Sequence, residues 1–285
     1  MASNMITVDA RTLDVNKVSF VVSPAKPGRN PTINMKYDGS NFQVKLPRMN
    51  ARLMTREGDD GKTSYTLSMA LNGCDNYGRE AGGDHDTGKV FNMLTALEKK
   101  ILEGAVEGNA KWFGKKRSDG VIQESFKKMI RLSSDKIDGE YVPNGKYPPS
   151  FYVKVPVYDG KVTVDNDGII DGKGNPIYVT PQTLATVFPN NVEVAAAVTG
   201  SIYVMAGGGF GVTWRLRCAR VYPQARMSAA SIFRDEDDEP AVQQSEETQQ
   251  ETEVTEETQR PSTPVDQPIP AAAPSAPRKR RAAAQ

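Results

Sequence analysis

The sequence has little of what catalysis and metal binding usually require. Its 285 residues contain one histidine and two cysteines. His85 stands in the segment GGDHDTG, and no second histidine or cysteine pair gives it zinc-ligand spacing. We therefore interpret Asp84, His85 and Asp86 as a polar loop in preference to a metal site. The short motifs of nucleotide-binding and hydrolytic enzymes are also missing, so we predict no catalytic residues, no metal and no cofactor.

Long apolar runs are missing as well. No stretch of about 18 apolar residues occurs, and no apolar segment follows a charged N-terminus. We expect no membrane span, no secretory signal and an intracellular protein. In that setting Cys74 and Cys218 are expected to remain reduced thiols.

The net charge of +1 conceals two oppositely charged parts. Residues 234–285 carry twelve acidic and six basic residues, which leaves 30 basic and 23 acidic residues in residues 1–233. A body of net charge +7 with a tail of −6 is typical of a polyanion-binding protein whose tail competes for the same surface. The division is also compatible with plain solubility.

The densest strand pattern lies in Gly200–Pro223, where runs Ser201–Ala206 and Gly211–Tyr222 flank three glycines. Consecutive glycines supply the positive φ angles of a tight turn, so the segment predicts a β-hairpin. Side chains alternate across a strand, which places one set on an apolar face: Val212, Trp214, Leu216 and Cys218. The other face carries Thr213, Arg215 and Arg217. The alternation breaks after Cys218, which predicts either a β-bulge or the end of one-sided burial.

Further strands and one helix are predicted on both sides of this hairpin. Apolar residues recur at three- and four-residue steps over Gly88–Val106, with Thr87 as the candidate N-cap. The predicted strands are Lys17–Ser23, Thr32–Met35, Phe42–Leu46, Ser64–Leu71, Ser150–Val157 and Lys161–Val164, with Asp159-Gly160 as a turn and a short helix from Pro181. We therefore predict a mainly β domain with one central helix over residues 15–233. Residues 1–14 form a short N-terminal segment in this scheme.

The tail, residues 234–285, consists largely of Glu, Gln, Thr, Pro and Ala. Such a composition cannot bury enough apolar surface to fold, so we predict a disordered acidic tail. It ends in a basic cluster, Arg278–Arg281, that is similar to a nuclear-import signal.

A basic segment with interleaved aromatic residues follows the predicted helix at Lys111–Leu132. Cations neutralise phosphates and rings stack on bases, which together are the chemistry of single-strand binding. Trp112 and Phe113 either cap the core or stack on bases, and the lysines form either a solvated face or a phosphate track. With residues from the predicted strands, the candidate DNA contacts are Lys111, Trp112, Lys115, Lys116, Arg117, Lys127, Lys128, Tyr152, Arg215 and Arg217.

Four stretches, in this order, resemble the single-stranded-DNA-binding protein family of nucleo-cytoplasmic large DNA viruses, especially its phycodnavirus-like and asfarvirus-like members. They are Gly39–Pro47, Lys111–Phe113, Tyr147–Val155 and Gly209–Arg215. The resemblance implies an OB-type β-barrel with insertions, a helix between its third and fourth strands, and binding of single-stranded DNA in viral replication. Related phage-type proteins end in an acidic tail with a terminal aromatic residue, whereas here a basic, alanine-rich end follows Asp235–Glu257.

We therefore predict a non-enzymatic, sequence-independent single-stranded-DNA-binding protein that acts in viral DNA replication, recombination or repair. A structural virion component, such as a minor capsid or tegument-like protein, is the alternative. The expected partners are single-stranded DNA, replication proteins recruited by the acidic tail, and further copies of the chain in a homo-oligomer, with no membrane. The expected location is the host nucleus or a cytoplasmic viral factory.

Overall fold

Strands are the main secondary structure of the computed structural model, which describes residues 5–23, 31–59, 61–165 and 168–223. The strands are β1 (Met5–Asp9), β2 (Val18–Ser23), β3 (Thr32–Tyr37), β4 (Asn41–Lys45), β5 (Met49–Glu57), β6 (Thr63–Ala70), β7 (Phe126–Lys127), β8 (Ser134–Ile137), β9 (Glu140–Pro143), β10 (Ser150–Val155), β11 (Val157–Tyr158), β12 (Lys161–Val162), β13 (Ile169–Ile170), β14 (Pro176–Ile177), β15 (Val192–Val204) and β16 (Phe210–Tyr222). The helices are α1 (Asp86–Glu107), α2 (Asn109–Phe113), α3 (Asp119–Ser125) and α4 (Leu184–Val187), and a 3-10 turn covers Val15–Lys17.

Five strands close into a barrel. β5 pairs with β6, β6 with β10, β10 with β16, β16 with β15, and β15 returns to β5. All of these pairs are antiparallel except β10–β16, which is parallel. Numbered along the chain, the five barrel strands are β5, β6, β10, β15 and β16. The third and fifth of them are parallel neighbours, and the first pairs with the second and the fourth. This is the connectivity of an OB barrel, so the predicted fold class is confirmed.

The central hairpin forms as predicted. β15 and β16 pair along their whole lengths, and the turn between them is closed by the Met205 N–H, which donates to Gly209 O at 2.8 Å. Gly208 has a φ of +94°, which a residue with a side chain rarely adopts. The predicted bulge is also present, because the pairing shifts between Ala197 and Val198 and leaves Arg217 as the extra residue on β16.

Alternation on β16 determines what is buried. Trp214 and Leu216 are 3% and 1% exposed before the bulge, and Ala219 and Val221 are buried after it. The bulge therefore keeps apolar residues pointing inward on both sides of Arg217. Cys218, which was predicted to share the apolar face, is half-buried instead, because the shift moves its side chain out of the core.

Helix α1 supplies the apolar stripe that the sequence predicts, with Val90, Leu94, Leu97 and Ile101 fully buried. The helix begins at Asp86 with His85 as its N-cap residue, so the prediction that Thr87 caps it is wrong. The Thr87 hydroxyl instead donates to Asn72 O at 2.6 Å. In the chain α1 lies between the second and third barrel strands, β6 and β10, which corrects the placement between the third and fourth strands that the resemblance implied.

The sequence prediction missed seven strands, which are β1, β5, β7, β8, β9, β13 and β14. β5 carries arginine, asparagine and methionine on a weak alternation, in which only Met49 and Ala51 are buried. β1 is largely exposed and pairs in parallel with β4, so a strand of the sheet precedes residue 15, where the domain was predicted to begin. The predicted end of the domain near Phe233 and the predicted tail lie outside the described residues.

An aromatic cluster joins α2 to the barrel. Trp112 is 2% exposed, and its ring meets Phe20 edge-on at 5.3 Å between centroids and Phe210 at 6.4 Å. A Cβ at Gly108 would lie 2.5 Å from the Trp112 Nε1, so glycine is needed there for the indole to pack. Because no face of the Trp112 ring is open, the prediction that it stacks on a base is corrected, and the alternative, that it caps the core, holds.

Candidate nucleic-acid interface

The outer surface of the second and third barrel strands, β6 and β10, carries polar and aromatic side chains. On β10, Phe151, Val153 and Val155 point into the core, whereas Tyr152 and Lys154 are exposed. Thr66 on β6 pairs with Lys154, and the next strand, β16, places Thr213 and Arg215 on the same outer face. Strand alternation therefore places one exposed ring and two cations on the same outer surface.

The segment after α3 forms one wall beside this surface. β7 pairs in parallel with Phe210 and Gly211 at the start of β16, and Arg131 forms an antiparallel bridge with Ser150 at the start of β10. The Glu98 carboxylate of α1 accepts hydrogen bonds from the backbone N–H groups of Met129 and Ile130. Burial raises the pKa of Glu98, and these two hydrogen bonds oppose that rise. The segment is thus fixed at both ends and in the middle.

Between this wall and the barrel strands lies a groove, which we call the basic groove. Its lining residues are Thr66, Lys127, Lys128, Met129, Arg131, Tyr152, Lys154, Tyr203, Val212, Thr213 and Trp214. Four of them are cations and none is a carboxylate. The Arg131 guanidinium lies 6.0 Å from the centroid of the Tyr152 ring, which is 41% exposed. Four cationic side chains and one exposed aromatic ring therefore occupy one concave surface.

A second groove begins at Lys154 and follows the β5–β6 connection. Arg56 and Lys62 line it together with Glu57 and Asp59, so its charges are mixed. Lys154 lines both grooves. The cationic surface therefore ends toward the β5–β6 loop.

The structure brings together only part of the predicted contact set. Lys127, Lys128 and Tyr152 line the basic groove. Arg215 is exposed on the neighbouring outer face of β16, where Arg217 pairs with Asp165, with Nε to Oδ2 at 3.0 Å.

The remaining predicted contacts lie elsewhere. Lys111 lines a separate groove between β2 and α1. The Arg117 guanidinium donates to Gly208 O at 2.7 Å and stacks on the Phe113 ring at 4.3 Å, so it holds the β15–β16 turn. Lys115 and Lys116 are exposed in the same loop and do not line the basic groove.

Two groove cations, Arg131 and Lys154, were missed by the sequence prediction. Lys154 has a detectable signal, because it follows Tyr152 by two residues in a strand and must share its face. Arg131 was counted in the basic segment but not chosen, since only its bridge to Ser150 brings it beside Tyr152. That contact joins residues far apart in the chain.

Two negative findings apply to the described ranges. No group of three or more His, Cys, Asp or Glu side chains there is arranged to hold a metal ion. None of the helices in these ranges has the length and apolar character of a bilayer-spanning segment.

Comparison with known proteins gives matches at the level of solved structures. No family model matches the sequence, and no curated protein matches it. The chain is similar to gp2.5, a single-stranded DNA binding protein encoded by bacteriophage T7, at 11% identity and a TM-score of 0.36, over 63% of this chain and 85% of that one. It is also similar to the single-stranded DNA-binding protein of bacteriophage Enc34, at 12% identity and a TM-score of 0.35, over 75% and 99% of the two chains. The assignment of the barrel rests on the strand pairings described above, and the resemblance to proteins of large DNA viruses stays a prediction.

Proposed function

We propose that this protein binds single-stranded DNA without sequence preference through the basic groove and catalyses no reaction. The observation that carries the proposal is the lining of the groove, because Lys127, Lys128, Arg131 and Lys154 line it together with the exposed ring of Tyr152 and no carboxylate lies among them. In the role that the sequence resemblance implies, the protein acts in viral DNA replication, recombination or repair.

The position of the groove supports a nucleic-acid ligand. OB barrels bind oligonucleotides and oligosaccharides on the outer face of the second and third strands and on the adjoining loops. Here those strands are β6 and β10. An uncharged sugar gains little from four cations, whereas each cation near a phosphate releases a bound counterion. The charge of the groove therefore favours the polyanion.

The exposed ring favours a single strand over a duplex. Tyr152 is exposed beside Arg131 on the barrel surface, and a base must leave its stack to reach the ring. Unpaired bases do this at little cost, and base stacking on aromatic rings is tolerant of sequence. The arrangement offers no set of side-chain amides that would distinguish one base edge from another, since the lining is mainly cations, hydroxyls and apolar groups.

One observation favours the alternative, a structural virion protein. The hairpin β8–β9 is exposed along both strands and presents Ile137, Tyr141 and Val142 at 54%, 74% and 42% exposure. Exposed apolar groups of this kind often mark a protein contact. This surface is separate from the lining of the basic groove, so the two functions make different predictions for the same variants.

Titration of fluorescently labelled poly(dT) over a series of salt concentrations tests the proposal. Replacing Lys128 or Lys154 with alanine should each lower the slope of log affinity against log salt by about 0.7, because one phosphate contact is lost. Tyr152→Ala should weaken binding by about 1–3 kcal/mol and leave the slope unchanged, since stacking releases no counterions. Lys99→Ala is the matched control, because Lys99 is exposed on α1 and lines none of the grooves described above.

Two further results would decide the site. Failure of the wild-type protein to bind poly(dT) at low salt would overturn the proposal and favour the virion alternative, which variants of Tyr141 would then probe. The double variant Lys115→Ala/Lys116→Ala tests the rest of the sequence prediction. A lower slope in that variant alone, with Lys128 and Lys154 variants unchanged, would move the site to the loop after α2.

A further inference from the structure

We propose that the bound strand continues from the basic groove onto the outer face of β15 and β16, where Arg215 binds a phosphate and Asp165 masks Arg217. This inference rests on the proposed function and extends the contact beyond the second and third barrel strands. It assigns a role to a carboxylate that lies outside the basic groove.

Strand register makes the two surfaces continuous. Lys154 pairs with Arg215 across the parallel β10–β16 contact, so both cations leave the same face of adjacent strands, whose axes lie about 4.8 Å apart. Thr213 lines the basic groove, and Arg215 follows it by two residues, which is about 7 Å along a strand. A phosphate backbone bound at Lys154 can therefore continue to Arg215 on the same outer face of the sheet.

Beyond Arg215 the surface forms a groove whose lining combines neutral polar side chains with Met5, Met35 and Phe42. Thr199 pairs with Arg215 and Ser201 pairs with Thr213, so both hydroxyls stand on the same outer face. Asn34 of β3 pairs with Ser201 and lines the same groove. Hydroxyl and amide groups accept or donate hydrogen bonds to phosphate and sugar oxygens. The groove can thus hold a strand although Arg215 is its one unmasked cation among the described lining residues.

Arg217 is the next cation along β16, but its guanidinium forms an ion pair with the Asp165 carboxylate. Its Nε donates to Asp165 Oδ2 at 3.0 Å and its Nη2 lies 2.5 Å from Oδ1, a two-point contact in which both side chains remain about 40% exposed. The Asp165 backbone N–H also donates to Arg217 O at 2.7 Å, which fixes the acid beside this strand. Phosphate would have to displace an ideally oriented carboxylate to reach Arg217. Asp165 therefore limits how far along the hairpin the strand is held.

Oligo(dT) of two lengths separates this extension from the basic groove itself. An oligonucleotide of about 5 nucleotides fills the groove alone, and one of about 15 nucleotides reaches past it, both within the site sizes found for OB folds. Arg215→Ala should lower the salt slope by about 0.7 for the long oligonucleotide and leave the short one unchanged. Asp165→Asn should raise the slope by about 0.7 for the long oligonucleotide only, because it frees Arg217 for one more phosphate.

The matched control for the acid is Asp84→Asn. It changes the net charge equally but lies before α1, where Asp84 pairs with Lys89. The gain of Asp165→Asn should disappear in the double variant Asp165→Asn/Arg217→Ala. Equal effects of Arg215→Ala on both lengths, or of the two Asp→Asn variants, would overturn the extension while binding in the basic groove survives. Absence of binding to either length by the wild-type protein would overturn both proposals.

Discussion

Replacing Trp214 with alanine tests the register on which both the core and the binding surface depend. Trp214 is 3% exposed, and it stands beside Val153 and Leu67 on three adjacent strands. A buried tryptophan removes about 150–250 Å² from water, which corresponds to about 4–6 kcal/mol as an upper bound. Measured losses for large aromatic residues are about 3–5 kcal/mol. We expect a loss in this range.

The residues around the ring determine how far the cavity left by Trp214→Ala can collapse. Gly200 stands opposite Trp214 on β15, and a Cβ there would lie 2.9 Å from the ring, so the space is already filled by the indole. Gly200 has no side chain to fill the vacated volume, but the flexible Met35 side chain reaches the same position and can fill part of it, so we expect a loss near the middle of the range. In a domain of about 220 residues, a loss of about 4 kcal/mol lowers Tm by about 8–16 °C.

The assay is urea unfolding followed by far-UV circular dichroism, with Arg215→Ala as the control. Arg215 is the next residue on the same strand and is exposed, so its replacement should change the free energy of unfolding by less than about 0.5 kcal/mol. A loss below about 1 kcal/mol for Trp214→Ala, or equal losses for the two variants, would show that the assigned faces of β16 are wrong.

Two other predictions concern charge. The side-chain hydrogen bond from Arg11 to Asp9, opposed by partial burial, lowers the pKa of Asp9 to about 2 from 3.8. The stability that this shift contributes is present above the ordinary pKa and is lost as the pH falls from about 4 to about 2. Asp9→Asn should therefore remove about 1 kcal/mol of the pH dependence of unfolding in urea titrations, a value that allows for screening at the surface. Deletion of residues 234–285 should tighten poly(dT) binding at low salt and change it little at high salt. The reason is that the eleven acidic residues in 235–259 compete with DNA as a tethered ligand, and salt screens this competition. Unchanged or weaker binding at low salt would instead indicate that the tail recruits partners.

Local periodicity was sufficient to predict the elements that bury one face. The alternation of β10 and β16 and the apolar stripe of α1 each depend on residues a few positions apart, and all three elements are confirmed, with Cys218 as the exception on the apolar face of β16. β5 failed the same test because its outward positions hold arginine, asparagine and methionine, and its inward positions include an alanine. A strand that closes a barrel through backbone pairing does not need strong β propensity in its side chains.

The candidate site was harder to predict, because closeness in sequence is not closeness in space. Lys111, Trp112 and Arg117 belong to one basic segment, but they have different surroundings. Helix α2 turns the successive side chains of Lys111 and Trp112 by about 100°, and Arg117 lies beyond the end of this helix. Trp112 enters the core, Lys111 faces another groove, and Arg117 holds a turn formed 91 residues later. The partners of these side chains come from distant strands, which no local pattern encodes.

The strand β16 links the core to the proposed binding surface through its parallel neighbours. Along one edge it pairs in turn with β7, β10 and β13, all in parallel. In paired parallel strands, residues that are partners in the register point to the same face of the sheet. The pairing that places Trp214 inside beside Val153 therefore also places Arg215 outside beside Lys154. A slip of one residue would bury Arg215 and expose Trp214, and it would separate Lys127 of β7 from the groove at the same time. The bulge at Arg217 takes up the one-residue mismatch beyond this point, so that Ala219 and Val221 stay inside without disturbing the register of the binding surface. The stability of the Trp214 variant and the salt dependence of the Arg215 variant therefore report on one structural feature, and a register error would have to appear in both.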